Sequence, residues 1–139
     1  MEPRIDHLQI TVKNFEESEK SYDQLMPILG FDLSKKNKGR VDAHDFDVIE
    51  YFHENVVIII NSPRASLAHE DVHRRRPGSV HHLAFRAQSI EGINEVYPKI
   101  QAIGANIVNP PQYYPQHAEG YYAFFFKDPN SIKLEIMIE

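Results

Sequence analysis

Two histidines stand out because they sit in the same local setting, 75 residues apart (82 − 7). His7 lies in Ile5-Asp6-His7-Leu8-Gln9-Ile10-Thr11-Val12, and His82 in Val80-His81-His82-Leu83-Ala84-Phe85-Arg86-Ala87. Both stretches alternate apolar and polar residues, as a strand with one greasy face does. A third such stretch, Ile132 to Ile138, closes the chain and contains Glu135. If Leu8, Ile10, Leu83, Phe85, Leu134 and Ile136 face a core, the opposite faces carry His7, Gln9 and Thr11, then His82, Ala84 and Arg86, then Lys133, Glu135 and Met137. Burying a lone carboxylate costs several kcal/mol unless it is paired or bound to a metal. Two imidazoles and a carboxylate on neighbouring strands answer that need with one divalent ion that keeps open positions. Such a site polarises a carbonyl or enolate, or binds two adjacent oxygens of one substrate.

The same alternation nominates the groups around that ion. Arg86, Lys133 and Gln9 share the cavity-facing side and suit a substrate carboxylate, phosphate or polar oxygen. Tyr114 and His117 lie on a long loop, and Tyr121 and Tyr122 begin the strand that follows it. One of Tyr122 and His117 is expected to serve as proton donor or oxyanion partner, and Glu135 completes the catalytic set as a metal ligand. His81 is expected to point away from His82.

These residues need elements to hold them. Asn14 offers an N-cap with Glu17 three residues on, and Phe15, Tyr22, Leu25 and Leu29 recur at helical spacing before Gly30. Phe31 to Leu33 reads as a short strand, Lys35 to Arg40 as a polar turn, and Asp45 to Phe52 and Val56 to Ile60 as two more strands. Ser62 to Gly78 is the connection. The order then repeats: strand Val80–Ala87, N-cap Ser89, helix stripe Ile90, Ile93, Tyr97, Ile100 and Ile103, and stop Gly104. A short strand Ala105–Val108, a loop from Asn109 to Gly120, and strands Tyr121–Phe126 and Ile132–Ile138 follow, with Asp128-Pro129-Asn130 as the last turn. Tyr22 and Tyr97 repeat the 75-residue offset. The expected fold is therefore α+β: two βαβββ modules in tandem, forming a partly closed, eight-stranded, barrel-like sheet with helices outside. One domain spans 1–139, with modules at about 3–62 and 79–139 and a linker at 63–78.

Composition narrows the partners. The 139 residues carry a formal charge of −5 with 20 acidic side chains, which disfavours nucleic acid. Arg74-Arg75-Arg76 is the one basic cluster and reads as a solvated loop. There is no cysteine, hence no disulfide or thiolate chemistry. No apolar run approaches the roughly 20 residues of a membrane span, and no secretory leader is evident, so a cytoplasmic protein is expected.

The chain resembles the vicinal oxygen chelate superfamily, which includes glyoxalase I, the extradiol dioxygenases and the fosfomycin- and bleomycin-resistance proteins. The likeness is carried by Ile5-Asp6-His7-Leu8, by Val80-His81-His82-Leu83-Ala84-Phe85, and by Phe126-Lys127-Asp128-Pro129-Asn130-Ser131-Ile132-Lys133-Leu134-Glu135-Ile136. Ser131 stands where the family's closing motif usually has glycine. The resemblance implies metal ligands at His7, His82 and Glu135, one divalent ion (Zn, Ni, Co, Mn or Fe), and a homodimer. The glyoxalases add a glutamate on the last strand of the first half, where this chain has Ile59. That departure favours a three-ligand site. The implied activity is a metal-dependent lyase or isomerase acting on a small oxygen-rich substrate. An extradiol-type Fe(II) dioxygenase and a non-catalytic binding protein of the bleomycin-resistance type are the alternatives.

Overall fold

Asn14 and Ser89 begin the two helices by the same chemistry. The Asn14 side chain accepts from the Glu17 amide at 3.1 Å, and the Ser89 hydroxyl accepts from the Gly92 amide at 3.0 Å. Each satisfies an amide that the first helical turn leaves without a partner. In the computed structural model, which describes residues 2–139, the chain divides after Asp71 into two compact units. The first runs β1 (His7–Thr11), α1 (Phe15–Ile28), β2 (Asp32–Val41), β3 (Phe46–Phe52) and β4 (Val57–Asn61). The second runs β5 (Leu83–Arg86), α2 (Ile90–Ala102), β6 (Asn106–Tyr113), β7 (Tyr122–Lys127) and β8 (Lys133–Ile138). Each unit is a four-stranded mixed sheet with one helix, in the orders β1-β4-β3-β2 and β5-β8-β7-β6. The βαβββ module is thus present twice.

The two sheets also agree in register. Gln9 faces Ile59 in the parallel β1–β4 pair, and Ala84 faces Glu135 in the parallel β5–β8 pair. Ile59 therefore occupies in the first unit the place that Glu135 occupies in the second. On the helix side, Tyr22 packs against Tyr51 in the first unit, with ring centroids 6.1 Å apart, and Tyr97 against Phe124 in the second, at 5.2 Å. Ile10, Ile49, Ile58 and Ile60 are buried on that side of the first sheet, and Phe124, Phe126, Leu134 and Ile136 on that side of the second. Burying each such side chain contributes roughly 1.5–3 kcal/mol.

Two segments differ from the sequence expectation, both at sheet edges. The stretch from Lys35 to Arg40, expected as a turn, belongs to the ten-residue strand β2, which is polar on both faces because it is mostly exposed. The segment from Asn109 to Tyr113, expected as loop, continues β6 through Pro110 and Pro111. Proline lacks an amide hydrogen, so an edge strand is where it does least harm. Register shifts on either side of Asn109 accommodate it. Conversely, β5 is shorter than expected, and residues 80–82 precede it. Among the described residues no helix is long and apolar enough to cross a membrane.

The hairpin that carries Glu135 is closed by Asp128, whose carboxylate accepts from the Asn130 and Ile132 amides at 2.9 and 2.8 Å. Ser131 inside this turn has φ of 68°, a left-handed conformation that costs a non-glycine residue roughly 1–2 kcal/mol. Glycine also widens the unfolded ensemble, which offsets about 0.4–1 kcal/mol of the relief. Ser131→Gly is therefore expected to raise unfolding free energy by about 0.5–1 kcal/mol in urea titrations; a loss of stability would contradict the strain.

In the first unit, Lys36 ties β2 to α1 through Glu19 (2.7 Å) and Asp23 (2.8 Å), and Asp23 in turn accepts from the Tyr51 hydroxyl at 2.9 Å. Hydrogen bonds from Lys36 and then Lys38 hold the Glu19 carboxyl below its ordinary value of 4.5. A carboxyl depressed by folding contributes stability above its unfolded pKa and loses it as pH falls through the folded value. Lys36→Met is expected to cost on the order of 1–2 kcal/mol at neutral pH. That gap should narrow as pH drops from about 5 to about 3, because Glu19 then protonates in both proteins. A gap independent of pH, measured by urea unfolding, would exclude the carboxylate as its cause.

Candidate functional site

Glu135 is the most deeply buried ionisable side chain on the open face of the second sheet, at 2 % exposure. Its neighbours across the β7–β8 ladder follow from the register: Phe125 opposite Glu135, Ala123 opposite Met137, and Lys127 opposite Lys133. Antiparallel partners share a face, so Lys127, Lys133, Phe125, Glu135, Ala123 and Met137 all look one way. Ala123, Phe125 and Met137 form an apolar cluster against which Tyr114 and Tyr121 pack.

Within this apolar setting the carboxylate has two partners. The Tyr121 hydroxyl donates to Glu135 Oε1 at 2.7 Å, and His82 Nε2 lies 3.2 Å from Oε2. Burial and then the Glu135 carboxylate push the Tyr121 phenol up to about 12. His82 is itself held from behind, since its Nδ1 is 2.8 Å from His81 Nδ1. Two such nitrogens at that distance share one hydrogen. Burial, followed by the charge of Arg74 and then of His82, Lys133 and Arg75, lowers the His81 pKa. His81 was expected on the far side of His82. Both precede the first residue of β5, where strand alternation does not yet apply.

Aromatic rings surround the pair. Phe125 meets His82 edge-on at 6.5 Å and Tyr114 at 5.4 Å. His117 stacks on Tyr114 at 5.7 Å and meets Tyr121 at 5.4 Å, so this loop histidine belongs to the Tyr121 cluster. Lys133 Nζ sits 3.9 Å from the centroid of Phe125. Burial, then the charge of Arg74, holds the Lys133 ammonium below its ordinary value.

The other expected site residues lie elsewhere. Tyr122 sits on the helix side of β7, where its hydroxyl donates to Asn94 of α2 at 3.0 Å. The tyrosine facing Glu135 is its neighbour Tyr121, and counting parity back from Phe125 across the hairpin identifies it. Arg86 is paired with Glu139 at 2.9 Å. In the first unit, His7 Nδ1 is 2.7 Å from Asp6 Oδ1, with its side chain half-exposed. Gln9 donates to Asn61 at 3.3 Å, and Asn61 donates to Thr11 at 3.0 Å, an amide cluster on the same face of that sheet. Glu50, a further carboxylate on that face, accepts from Asn37 at 2.7 Å.

As metal donors, His82 and Glu135 fit. Two ligands each about 2.1 Å from one ion are roughly 3.0–3.4 Å apart, the spacing already present between His82 Nε2 and Glu135 Oε2. The hydrogen bonds between His82 and His81 and from Tyr121 to Glu135 are the kind that orient ligands from behind. Among the described residues no three His, Asp or Glu side chains are assembled around one point. Removing the Tyr121 hydroxyl should leave a buried oxygen without its donor, costing about 1–3 kcal/mol. Tyr122→Phe, on the opposite face, should cost less than about 1 kcal/mol. Equal losses in chelator-treated protein would mean that Tyr121 does not carry Glu135.

Comparison with known proteins places this geometry in context. The family model of the Glyoxalase/Bleomycin resistance protein/Dioxygenase superfamily matches residues 4–136. A glyoxylase/bleomycin resistance protein/dioxygenase domain from Frankia sp. EAN1pec superposes with a TM-score of 0.79 at 21% identity, covering 99% of this chain and 98% of that one. A candidate glyoxalase from Bacillus halodurans gives 0.73 at 28% identity, with 96% and 93% covered. The fosfomycin resistance protein FosX of Listeria monocytogenes, complexed with Mn(II) and sulfate, gives 0.64 at 15% identity, with 100% and 94% covered.

Proposed function

Since the chain belongs to the Glyoxalase/Bleomycin resistance protein/Dioxygenase superfamily, we propose that it is a divalent-metal-dependent, glyoxalase-like lyase or isomerase acting on a small oxygen-rich substrate. The observation that carries this reading is the His82–Glu135 pair. A buried carboxylate faces an imidazole at 3.2 Å, with a separate hydrogen-bond partner behind each. FosX, which shares the fold, binds Mn(II), and that supports a metal on such a face. His82 and Glu135 would hold the ion; His7 as a further ligand is what the resemblance alone implies. When bound, the ion supplies a Lewis acid for two adjacent substrate oxygens or for a carbonyl.

The chain's own groups do the rest. With the hydrogen between them carried on Nδ1 of His82, His81 would leave Nε2 as the lone pair that a ligand needs. Tyr121 keeps one Glu135 oxygen engaged and turns the other toward His82. Phe125, Tyr114 and Met137 form an apolar wall that keeps water from the carboxylate, which strengthens every charge interaction there. His117, exposed beside Tyr121, is placed to exchange a proton with solvent. The absence of a carboxylate at Ile59 favours three protein ligands and argues against a glutamate base from the first sheet. The same reading takes the protein to be a homodimer in the cytoplasm.

The test is elemental analysis of protein purified without added metal or chelator, alongside Glu135→Ala. One tightly held divalent ion per chain is expected, with at least tenfold weaker retention in the variant. Zn, Ni, Co or Mn supports the lyase or isomerase reading. Fe(II) would turn it to the extradiol dioxygenase alternative. Metal-free protein that takes up no added ion would leave a binding protein of the bleomycin-resistance type.

A further inference from the structure

Arg74 and Arg75 are exposed at the start of the second unit, and neither guanidinium has a carboxylate partner among the described residues. The chain carries 20 acidic side chains to 15 basic ones, so the lack is one of position rather than supply. Arg40, by contrast, is held by Asp42, Asp45 and Asp47, and Arg86 by Glu139. Burial and then the charge of Arg74 keep both His81 and Lys133 below their ordinary values, so the field of the run falls on groups that resist more positive charge. Clustered like charges repel one another, and a surface of opposite sign relieves them.

The first unit has such a surface. Its N-terminal segment and the β3–β4 hairpin enclose a cleft of about 520 Å³, a volume suited to side chains or a small ligand. Three carboxylates, Glu2, Asp6 and Glu54, line it against one cation, Arg4. Glu54 has no ion-pair partner among the described residues. Glu2 reaches Arg4 only at 4.0 Å, with both side chains almost fully exposed. Val56 and Val57 supply an aliphatic wall, and Ile5 stands beside it 72% exposed. Arginine fits this combination, because its methylene stem covers apolar surface while its planar fork meets carboxylate oxygens. A bare metal ion would leave the wall uncovered.

We propose that the Arg74–Arg75 run of one chain docks into the Glu2–Asp6–Glu54 cleft of a second copy. In a two-fold dimer the contact is made twice, each run entering the other chain's cleft. This rests on the homodimer taken in the function proposed above and names the surfaces that form it. The run that composition alone marks as a solvated loop becomes one half of an interface.

Sedimentation equilibrium of the full-length protein, at about 0.05 M and about 0.5 M salt, reads the association. The dissociation constant of the native dimer should rise at least tenfold between the two. Two charge reversals carry the test: Arg74→Glu with Arg75→Glu, and Glu2→Lys with Glu54→Lys. Each protein should be monomeric alone at low salt, because its run and cleft then carry like charges. Mixed in equal amounts they should form a heterodimer of near-native affinity, since every run again faces a cleft of opposite sign. All four positions are exposed, so native circular dichroism is expected, and the milder Glu54→Gln should weaken the dimer about two- to fivefold. Lys20→Glu and Lys99→Glu, on the exposed sides of the helices, should leave association unchanged. A protein that is monomeric at both salts overturns the contact and the homodimer together. A dimer that survives both reversals, or reversed variants that stay apart when mixed, overturn the contact alone. Metal content is read on the same samples: a charge-swapped dimer without an ion overturns only the metal reading, and a metal-loaded monomer overturns only this one.

Discussion

A carboxylate almost wholly removed from water is the constraint around which the second half of this protein is arranged. Glu135 sits among Ala123, Phe125 and Met137, where an unpaired charge would cost several kcal/mol. Every nearby polar choice reduces that cost. Tyr121 donates to one oxygen and His82 Nε2 lies 3.2 Å from the other, with His81 beside Nδ1 of His82. The Asp128 turn fixes where β8 begins, and so which β8 residues face β7. Even the strained Ser131 is tolerated there, since the two amide bonds to Asp128 keep the turn closed around it.

The first unit shows what the same module does without that constraint. Its ladder has the same register, yet Ile59 replaces the carboxylate, and the open face holds the neutral Gln9–Asn61–Thr11 cluster. Its ionic chemistry has moved to the helix side, where Lys36 joins Glu19 and Asp23 and ties α1 to the edge strand β2. One copy of the module thus uses its polar residues to hold its own elements together, and the other gathers them around Glu135. Duplication makes that division possible, because the isoleucines, leucines and phenylalanines that stabilise each sheet lie on the opposite face from the residues that diverged.

Electrostatics give the second unit its direction. The chain is acidic overall, but two lysines share the face of Glu135: Lys133 over the Phe125 ring and Lys127 across the ladder.

Much of this was legible in the residue order. The alternation around His7 and His82, the caps at Asn14 and Ser89, and the glycine stops determined the duplicated α+β module, because strand and helix periods are local properties. The same alternation put Glu135, Lys133 and Arg86 on one face. What the order of residues could not decide was anything that depends on pairing between distant strands. The polar stretch at 35–40 and the prolines of β6 read as loop, since only the sheet shows that both lie at an edge, where solvent or a missing amide is tolerated. Tyr121 and Tyr122 are indistinguishable by composition; the Phe125–Glu135 register sends the first to the carboxylate and the second to Asn94. Arg86 and Lys133 looked equivalent until the structure paired the one with Glu139 and set the other over the Phe125 ring. Side-chain direction along a strand follows from local geometry, but the partner a side chain meets is set by which strand lies beside it, and that only the tertiary structure supplies.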